Sequence, residues 1–286
     1  MESRAHLDRA IALYDPAEHG GPATRFGSID NGTFVLSTRS NVLWTLGYPE
    51  AALSDAEQAL KKAREIGQAA TLMHALAQTS RALHLCQNYE AARAQRDELF
   101  ALAEQKGAGQ WKATAMLVEG AILALTGNPT DAVQTISSGL TAYRSTGATL
   151  LVPYLSALLA RAHAETGHFD DAWRYIDEAI TTVETIKERW CEAEIHRIAG
   201  EIALMSPRQN AAKAEAYFER ALEVARHQQA KSWELRAAMS VARLWRDQGK
   251  PKQAREFLAP VYGWFTEGFD TLDLKEAKVL LHALAS

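Results

Sequence analysis

A turn that recurs every 40 residues is the feature of this sequence that most restricts its fold. The segments Gly47–Ala52, Gln87–Ala92, Gly127–Ala132 and Gly167–Ala172 each begin 40 residues after the one before, and Gly249–Ala254 repeats the pattern late in the chain. Each of these segments ends with an alanine, and a fifth repeat contributes Ala214. The column is Ala52, Ala92, Ala132, Ala172, Ala214 and Ala254. A fixed period of this length is typical of arrays in which each repeat is one supersecondary unit stacked on its neighbours.

Each repeat is predicted to be two antiparallel α-helices joined by this turn. Helix-forming residues dominate the chain, and strand-type alternation is scarce. The turn glycine suits the left-handed conformation that ends a helix, and Pro49, Pro129 and Pro251 fall where the second helix begins and a missing N–H costs nothing. The pattern predicts first helices at about Thr71–Cys86, Trp111–Thr126, Leu151–Glu165, Trp190–Met205 and Lys231–Gln248.

A column of small residues lies seven positions before each turn. Its members are Ser40, Ser80, Gly120, Ala160, Gly200 and, in the sixth unit, Ala242. We expect them to face the alanine column of the partner helix, because small side chains let two helix axes approach closely.

These features predict an all-α, right-handed α-α superhelix of about six helical hairpins, a solenoid forming a single domain over residues 1–286. An unpaired helix is predicted at 4–14, which suggests that the chain is a piece of a longer protein. The loop that follows at 15–31 is either a docking element or a crossing loop packed by its own side chains. The units are expected at about 32–67, 68–107, 108–147, 148–188, 189–229 and 230–268, with a capping helix at 270–286.

The end of the array departs from the repeat. Pro260 should kink or end the second helix of the sixth unit. Beyond it, Tyr262, Trp264, Phe265 and Phe269 cluster near the capping helix. Because solenoids need a terminal cap, we interpret this cluster as a cap core rather than a ligand cage.

The repeat resembles a known family. A small residue in the first helix, a Gly-Asn or Gly-Tyr turn, and Ala214, Phe218 and Ala221 in a second helix are similar to the tetratricopeptide repeat (TPR), whose unit is usually about 34 residues. Longer units like these also resemble the C-terminal sensor arrays of bacterial signal-transduction ATPases. The segments at 11–16, 43–49, 231–238 and 261–270 resemble the C-terminal region of bacterial class III adenylate/guanylate cyclase–ATPase–TPR fusion proteins. That resemblance implies a regulatory array behind upstream catalytic domains, whose motifs this chain lacks.

Composition narrows the classes of function. The chain has 31 basic and 35 acidic residues and a formal net charge of −4, which argues against a nucleic-acid binder or a protein that binds anionic membranes. No apolar run approaches the length of a membrane span, and the first eight residues lack the apolar core of a secretory signal. Two cysteines are too few for a disulfide framework, so we expect a reduced, cytoplasmic protein.

Catalytic motifs are absent from the sequence. It contains no phosphate-binding glycine loop, no H-E-x-x-H and no G-x-S-x-G, so we expect neither an enzyme nor a cofactor. Cys191, Glu192, Glu194 and His196 lie close enough to suggest a metal. A structural zinc site normally needs four ligands, mostly Cys and His, so we favour a salt-bridged or solvated helix face.

The groove formed by the first helices is the predicted binding surface. Side chains thirteen and six positions before each turn should form two columns along it. With neighbouring Arg197, the candidate groove residues are Asn41, His74, Arg81, Tyr154, Arg161, Glu194, Arg197, Arg236 and Arg243. The column of Arg81, Arg161 and Arg243 either clamps carboxylates or phosphates or pairs with acids on adjacent units.

A further column near the starts of the first helices contains Trp111, Leu151, Trp190 and Trp233. Exposed, it would be a hydrophobic binding strip; buried between units it would be core, which we favour.

The leading hypothesis is a non-catalytic array that binds a protein segment or an attached signalling domain. The alternative is a sensor that holds a small metabolite or small anionic ligand near Tyr154, Arg161 and Trp190.

Overall fold

The computed structural model describes residues 2–19, 28–207 and 210–285, in which every regular element is helical. A single helical turn at 16–19 lies between α1 and α2. The longer helices are α1 (Glu2–Leu13), α2 (Asn31–Thr45), α3 (Pro49–Ile66), α4 (Ala69–Leu85), α5 (Tyr89–Gln105), α6 (Gly109–Leu125), α7 (Pro129–Ser145), α8 (Val152–Glu165), α9 (Phe169–Ile186), α10 (Glu192–Met205), α11 (Ala211–Gln228), α12 (Lys231–Asp247), α13 (Pro251–Tyr262) and α14 (Leu272–Ala283). The predicted all-α solenoid is confirmed, and the predicted first helices begin and end within two residues of the observed ones.

The helices group into two compact units, Met1–Val118 and Glu119–Ser286, with the boundary inside α6. In the first unit, α2 packs on α3 and α4 on α5, and α2 also contacts α4. In the second unit, α8 packs on α9, α10 on α11 and α12 on α13. In addition, α8 contacts α10, α10 contacts α12, and α12 contacts α14. First helices therefore lie side by side within each unit.

The turns have the backbone conformation that the glycines predict. Gly47, Gly127, Gly167 and Gly249 all have positive φ values, between 76° and 91°. At the ends of two second helices the same conformation occurs without glycine, at Lys187 (φ 60°) and Gln229 (φ 56°). Other second helices end in this conformation at Gly67, Gly107 and Gly147, so the helix end keeps its backbone conformation where glycine is absent.

The small-residue column lies inside the hairpins, but its nearest neighbours differ from the expected alanines. A Cβ added to Gly120 would lie 2.5 Å from Cγ1 of Ile136 and 3.1 Å from its backbone nitrogen. A Cβ added to Gly200 would lie 2.4 Å from Cε1 of Phe218. Ile136 and Phe218 each follow the column alanine by four residues, one helical turn further along the same face. The small residue therefore makes room for a large buried side chain.

The first helix has a partner in the structure. Nη1 of Arg39 in α2 donates to Oδ1 of Asp8 in α1 at 2.8 Å. The hydroxyl of Tyr14 donates to Oδ2 of Asp30 at 2.6 Å, and the Lys62 ammonium lies 3.9 Å from the centre of the Tyr14 ring. The expected docking or crossing loop at 15–31 falls partly outside the described residues, since its glycine-rich part is at 20–27.

The C-terminal end forms a cap. The helix α13 continues through Pro260 and ends at Tyr262, two residues later, which agrees with the expected break. Phe265 is buried in the same core as Leu274 of α14, whereas Trp264 and Phe269 are 36% and 48% exposed. The aromatic cluster is thus only partly a cap core.

Enlarging Gly200 should destabilise the second unit. In Gly200→Val the new side chain meets the fully buried Phe218, and overpacking of this kind costs about 1–3 kcal/mol. Gly109→Ala is the matched control, because nothing lies within 4 Å of a Cβ added there. Urea unfolding should show a lower midpoint for Gly200→Val and an unchanged or higher one for the control. Equal midpoints for Gly200→Val and wild type would refute the close contact.

Candidate functional site

The candidate groove residues of the first unit form an aromatic stack and an amide–guanidinium pair. The His74 ring stacks on Phe34 of the preceding first helix, with ring centres 5.1 Å apart, and meets the Trp111 ring edge-on at 6.0 Å. His74 is 5% exposed, whereas Phe34 is 44% exposed. Burial, aided by the positive charge of Arg81, lowers the pKa of His74 to about 4. His74 is therefore neutral at pH 7.

Asn41 and Arg81, which share a predicted column, are in direct contact. Nε of Arg81 donates to Oδ1 of Asn41 at 2.9 Å, and the Arg81 guanidinium also donates to the side-chain oxygen of Gln78. The amide nitrogen of Asn41 donates to the backbone oxygens of Ser37 and Gln78 at 2.9 and 3.3 Å. The amide thus links two neighbouring first helices and holds the guanidinium at their surface.

Aromatic rings from three first-helix regions pack together in the second unit. The Tyr154 ring centre lies 5.3 Å from that of Trp190 and 6.4 Å from that of Trp233. Nε1 of Trp233 donates to the backbone oxygen of Trp190 at 2.9 Å. Tyr154 and Trp233 are 2% and 1% exposed, while Trp111 and Trp190 are half-buried. Of the tryptophan column, Trp233 is therefore core, whereas Trp111 and Trp190 remain partly exposed.

A buried charge network joins α10, α12 and α14. Arg197 donates to both carboxylate oxygens of Glu194, at 2.7 and 2.8 Å, and also to Glu201. Nη1 of Arg236 lies 3.8 Å from Glu194, and its Nη2 lies 2.8 Å from Oδ2 of Asp273. The side chains of Glu194, Arg197 and Arg236 are 1%, 8% and 7% exposed. Two guanidinium groups thus share one carboxylate in the interior.

The electrostatics of this network hold both arginines charged. Burial alone would lower the pKa of Arg197, but Glu194 and Glu201 outweigh it and the pKa rises. The pKa of Arg236 is raised in the same way, against burial, chiefly by Asp273 and Glu194. Charges fixed in this manner orient side chains but are not available to bind a second anion without losing their partners.

A second set of charges, here named the charge ladder, runs across four helices that each contact the next but are not consecutive in the chain. It consists of Arg161 in α8, Glu201 in α10, Arg243 in α12 and Glu276 in α14. Nη1 of Arg161 lies 4.0 Å from Oε2 of Glu201, and Nη2 of Arg243 lies 3.0 Å from Oε2 of Glu276. Their side chains are 25%, 22%, 40% and 45% exposed in chain order. The sign of the charge alternates from one helix to the next.

Glu201 is the centre of the ladder. Burial tends to raise its pKa, but the positive charges of Arg197, Arg161 and Arg243 outweigh this and lower it. Beside it, a cleft of about 330 Å³ is lined by Glu201, Ser240, Arg243 and Asp247, with Phe218 and Leu244 at its apolar side. The ladder therefore borders a cavity large enough to admit a side chain of a partner.

The sequence analysis did not identify Asp273 and Glu276, the acidic partners of Arg236 and Arg243. Both lie in α14, which contacts α12 as the first helix of a further hairpin would. The signal was present, because α14 follows the sixth unit at the place where the next first helix is due. The sequence analysis interprets this helix only as a cap.

The residues considered for a metal site are either ion-paired or buried. Glu192 pairs with Arg189 and Arg220, each at 3.4 Å. Burial lowers the pKa of His196 to about 4 and raises that of the buried Cys191 thiol. Among the described residues no group of three or more His, Cys, Asp or Glu is placed to hold a metal ion. Within the same part of the chain, no helix has both the length and the apolar character needed to cross a bilayer.

Comparisons with known proteins identify the class of fold. The chain is an all-α solenoid of helical hairpins, and its fold is similar to that of RapI in the crystal structure of its apo form. The TM-score is 0.60 at 13% sequence identity, and the match covers 98% of this chain and 90% of RapI. No family model matches the chain, and no curated protein matches its sequence. The likeness to cyclase–ATPase–TPR fusion proteins stays a prediction.

Acidification should destabilise the first unit through His74. The unfolded state binds a proton near pH 6.5 and the folded state only near pH 4, so stability is lost as the pH falls between these values. Going from pH 7 to pH 5 should cost about 2 kcal/mol for this residue. His74→Phe keeps a stacked ring and removes the titration, so its urea midpoint should fall less over that interval. An equal fall in both proteins would show that His74 is not responsible.

Removing the shared carboxylate should destabilise the second unit strongly. Glu194→Gln leaves Arg197 and Arg236 buried with one acidic partner each, and breaking a buried ion pair costs about 3–5 kcal/mol. The control Glu178→Gln breaks the partly exposed pair with Arg144, which should cost less than about 1 kcal/mol. Denaturant unfolding of the two variants checks this difference. Similar losses in both would contradict the interior position of Glu194.

Proposed function

We propose that this protein is a non-catalytic interaction or regulatory repeat domain that binds a segment of a protein partner along its first helices. The observation that carries the proposal is the charge ladder, which places four partly exposed charges of alternating sign on four helices that each contact the next, α8, α10, α12 and α14. A stacked array suits such a role, because each repeat extends the binding surface by one helix. The likeness of the fold to RapI is compatible with a role as a protein-binding regulator.

The pairing of the ladder favours a partner of mixed charge. Arg161 contacts Glu165 and Glu201, and Arg243 contacts Glu276, so carboxylates on the same and adjacent helices already compensate these arginines. A segment that presents acidic and basic side chains in turn can exchange these contacts one for one. A free anion would instead have to compete with the protein's own carboxylates.

The small-molecule alternative has less support from the geometry. A metabolite held near Tyr154, Trp190 and Arg161 needs access to the Tyr154 ring, and that residue is 2% exposed.

The resemblance to fusion proteins leads us to propose that the bound segment belongs to a signalling protein, either attached to this chain or separate from it. We do not extend the proposal to nucleic acid, because the net charge is −4.

Display selection tests the ladder directly. A random peptide library panned against the wild-type protein should yield binders that lose at least about tenfold in affinity for Arg161→Gln/Arg243→Gln, because about 1.4 kcal/mol of binding corresponds to a factor of ten. The matched control is Arg144→Gln/Arg174→Gln, which removes two exposed, salt-bridged arginines from second helices. Binders with equal affinity for both variants, or a selection without enrichment, would refute the proposal.

A further inference from the structure

A second surface in the same unit has the opposite electrostatic character to the ladder. A groove of about 460 Å³ lies between α11, α12 and α13. Its apolar part is formed by Leu222, Val241, Trp245 and Phe257, and glutamates of α11, among them Glu215 and Glu219, line one wall. We call this the acidic groove.

The acidic groove and the charge ladder lie on different sides of α12. Val241 and Trp245 line the groove, and Arg243 of the ladder lies two positions from each of them in sequence. Positions two apart on an α-helix point about 200° away from each other, since each residue turns the helix by about 100°. The groove can therefore be occupied without displacing anything from the ladder.

Two carboxylates of the groove have no cationic partner among the described residues. Oε1 of Glu215 accepts a hydrogen bond from Nε1 of Trp245 at 2.8 Å, a neutral donor that fixes the carboxylate at the groove. Glu219 is exposed and makes no ion pair within the described ranges. A third glutamate, Glu223, is paired with Arg220 at 2.7 Å. The groove thus presents negative charge that its neighbourhood leaves uncompensated.

The one arginine that lines the groove, Arg226, already has partners, and its guanidinium carbon lies 5.9 Å from the centre of the Phe257 ring. Nε of Arg226 lies 2.9 Å from Oε1 of the nearly buried Glu234. The same carboxylate group is approached by the Lys231 ammonium at 2.7 Å. Arg226 therefore contacts Glu234 and the Phe257 ring, and among the described residues it makes no ion pair with Glu215 or Glu219.

The aromatic rings of the groove add to its preference for a cation. Trp245 and Phe257 pack edge to face, with ring centres 5.2 Å apart, and both are partly exposed. Aromatic faces attract ammonium and guanidinium groups and also pack against the methylene stems that carry them. An apolar floor beside fixed negative charge is complementary to a side chain with an apolar stem and a positive end.

We propose that the acidic groove binds a basic amphipathic helix of a protein partner. Glu215, Glu219 and Glu223 are four residues apart, so they recur about every 6 Å along α11. Lysines or arginines four residues apart on a partner helix have the same spacing, and the apolar face of that helix covers Leu222, Trp245 and Phe257. This is helix-in-groove recognition, with charge complementarity setting which helices bind.

The test uses a synthetic helical peptide with lysines at i, i+4 and i+8 and leucines on the adjoining face. The indole N–H signal of Trp245, assigned in the NMR spectrum by its loss in Trp245→Phe, reports occupancy of the groove in the full chain. We expect a saturable shift with the lysine peptide that weakens at high salt, because the charges involved are partly exposed. A peptide with glutamine in place of each lysine should bind at least about tenfold more weakly.

Charge-removing variants test whether Glu215 and Glu219 are the carboxylates that bind the lysines of the peptide. Glu215→Gln/Glu219→Gln keeps an oxygen that can accept from the Trp245 indole and should lower the affinity for the lysine peptide at least about tenfold. The control Glu57→Gln/Glu184→Gln makes the same change in net charge at two exposed glutamates outside the groove and should bind as wild type does. Four results would each overturn the proposal: no shift at millimolar peptide, equal binding of the glutamine peptide, equal weakening in the control variant, or free spermine binding as tightly as the peptide.

Discussion

Close approach of the two helices within a hairpin is the constraint on which the other features of this structure depend. Where the first helix carries glycine, a large side chain of the second helix enters, as Phe218 does at Gly200 and Ile136 at Gly120. The buried side chain fixes both the separation of the helices and the rotation of each about its axis. Because rotation decides which positions face the neighbouring hairpin, this contact also sets which side chains form the columns along the first helices.

The rotation explains why the period alone predicted so much. Once the turn, the small position and the alanine are in register, every other residue of a hairpin has a defined direction, and residues 40 apart, such as Asn41 and Arg81 or Arg161 and Glu201, must be neighbours. Helix ends followed from the same register, because positive-φ positions and the prolines mark them. Lys187 and Gln229 show that the backbone conformation persists where the glycine signal does not.

The depth of each side chain and the choice of partner were not predictable from the same pattern. A column position tells that Glu194 and Arg236 are neighbours, but not that Arg197 would bind both oxygens of Glu194 while Arg236 turns to Asp273. Those choices depend on rotamers and on α14, where the period no longer holds. Tyr154 and His74 also belong to the predicted columns, but both are buried. Their rings fill the space between neighbouring first helices instead of facing solvent.

The contrast between paired and unpaired charges separates the two surfaces of the second unit. In the ladder each charge faces one of the opposite sign, so a partner gains only by replacing contacts that already exist, and the outcome depends on how well its side chains fit. In the acidic groove Glu215 and Glu219 have no cationic counterpart within the described part of the chain, so an incoming cation gains an attraction that these residues do not otherwise have. Since α12 carries Arg243 on one side and Trp245 on the other, a partner in the acidic groove need not displace any charge of the ladder.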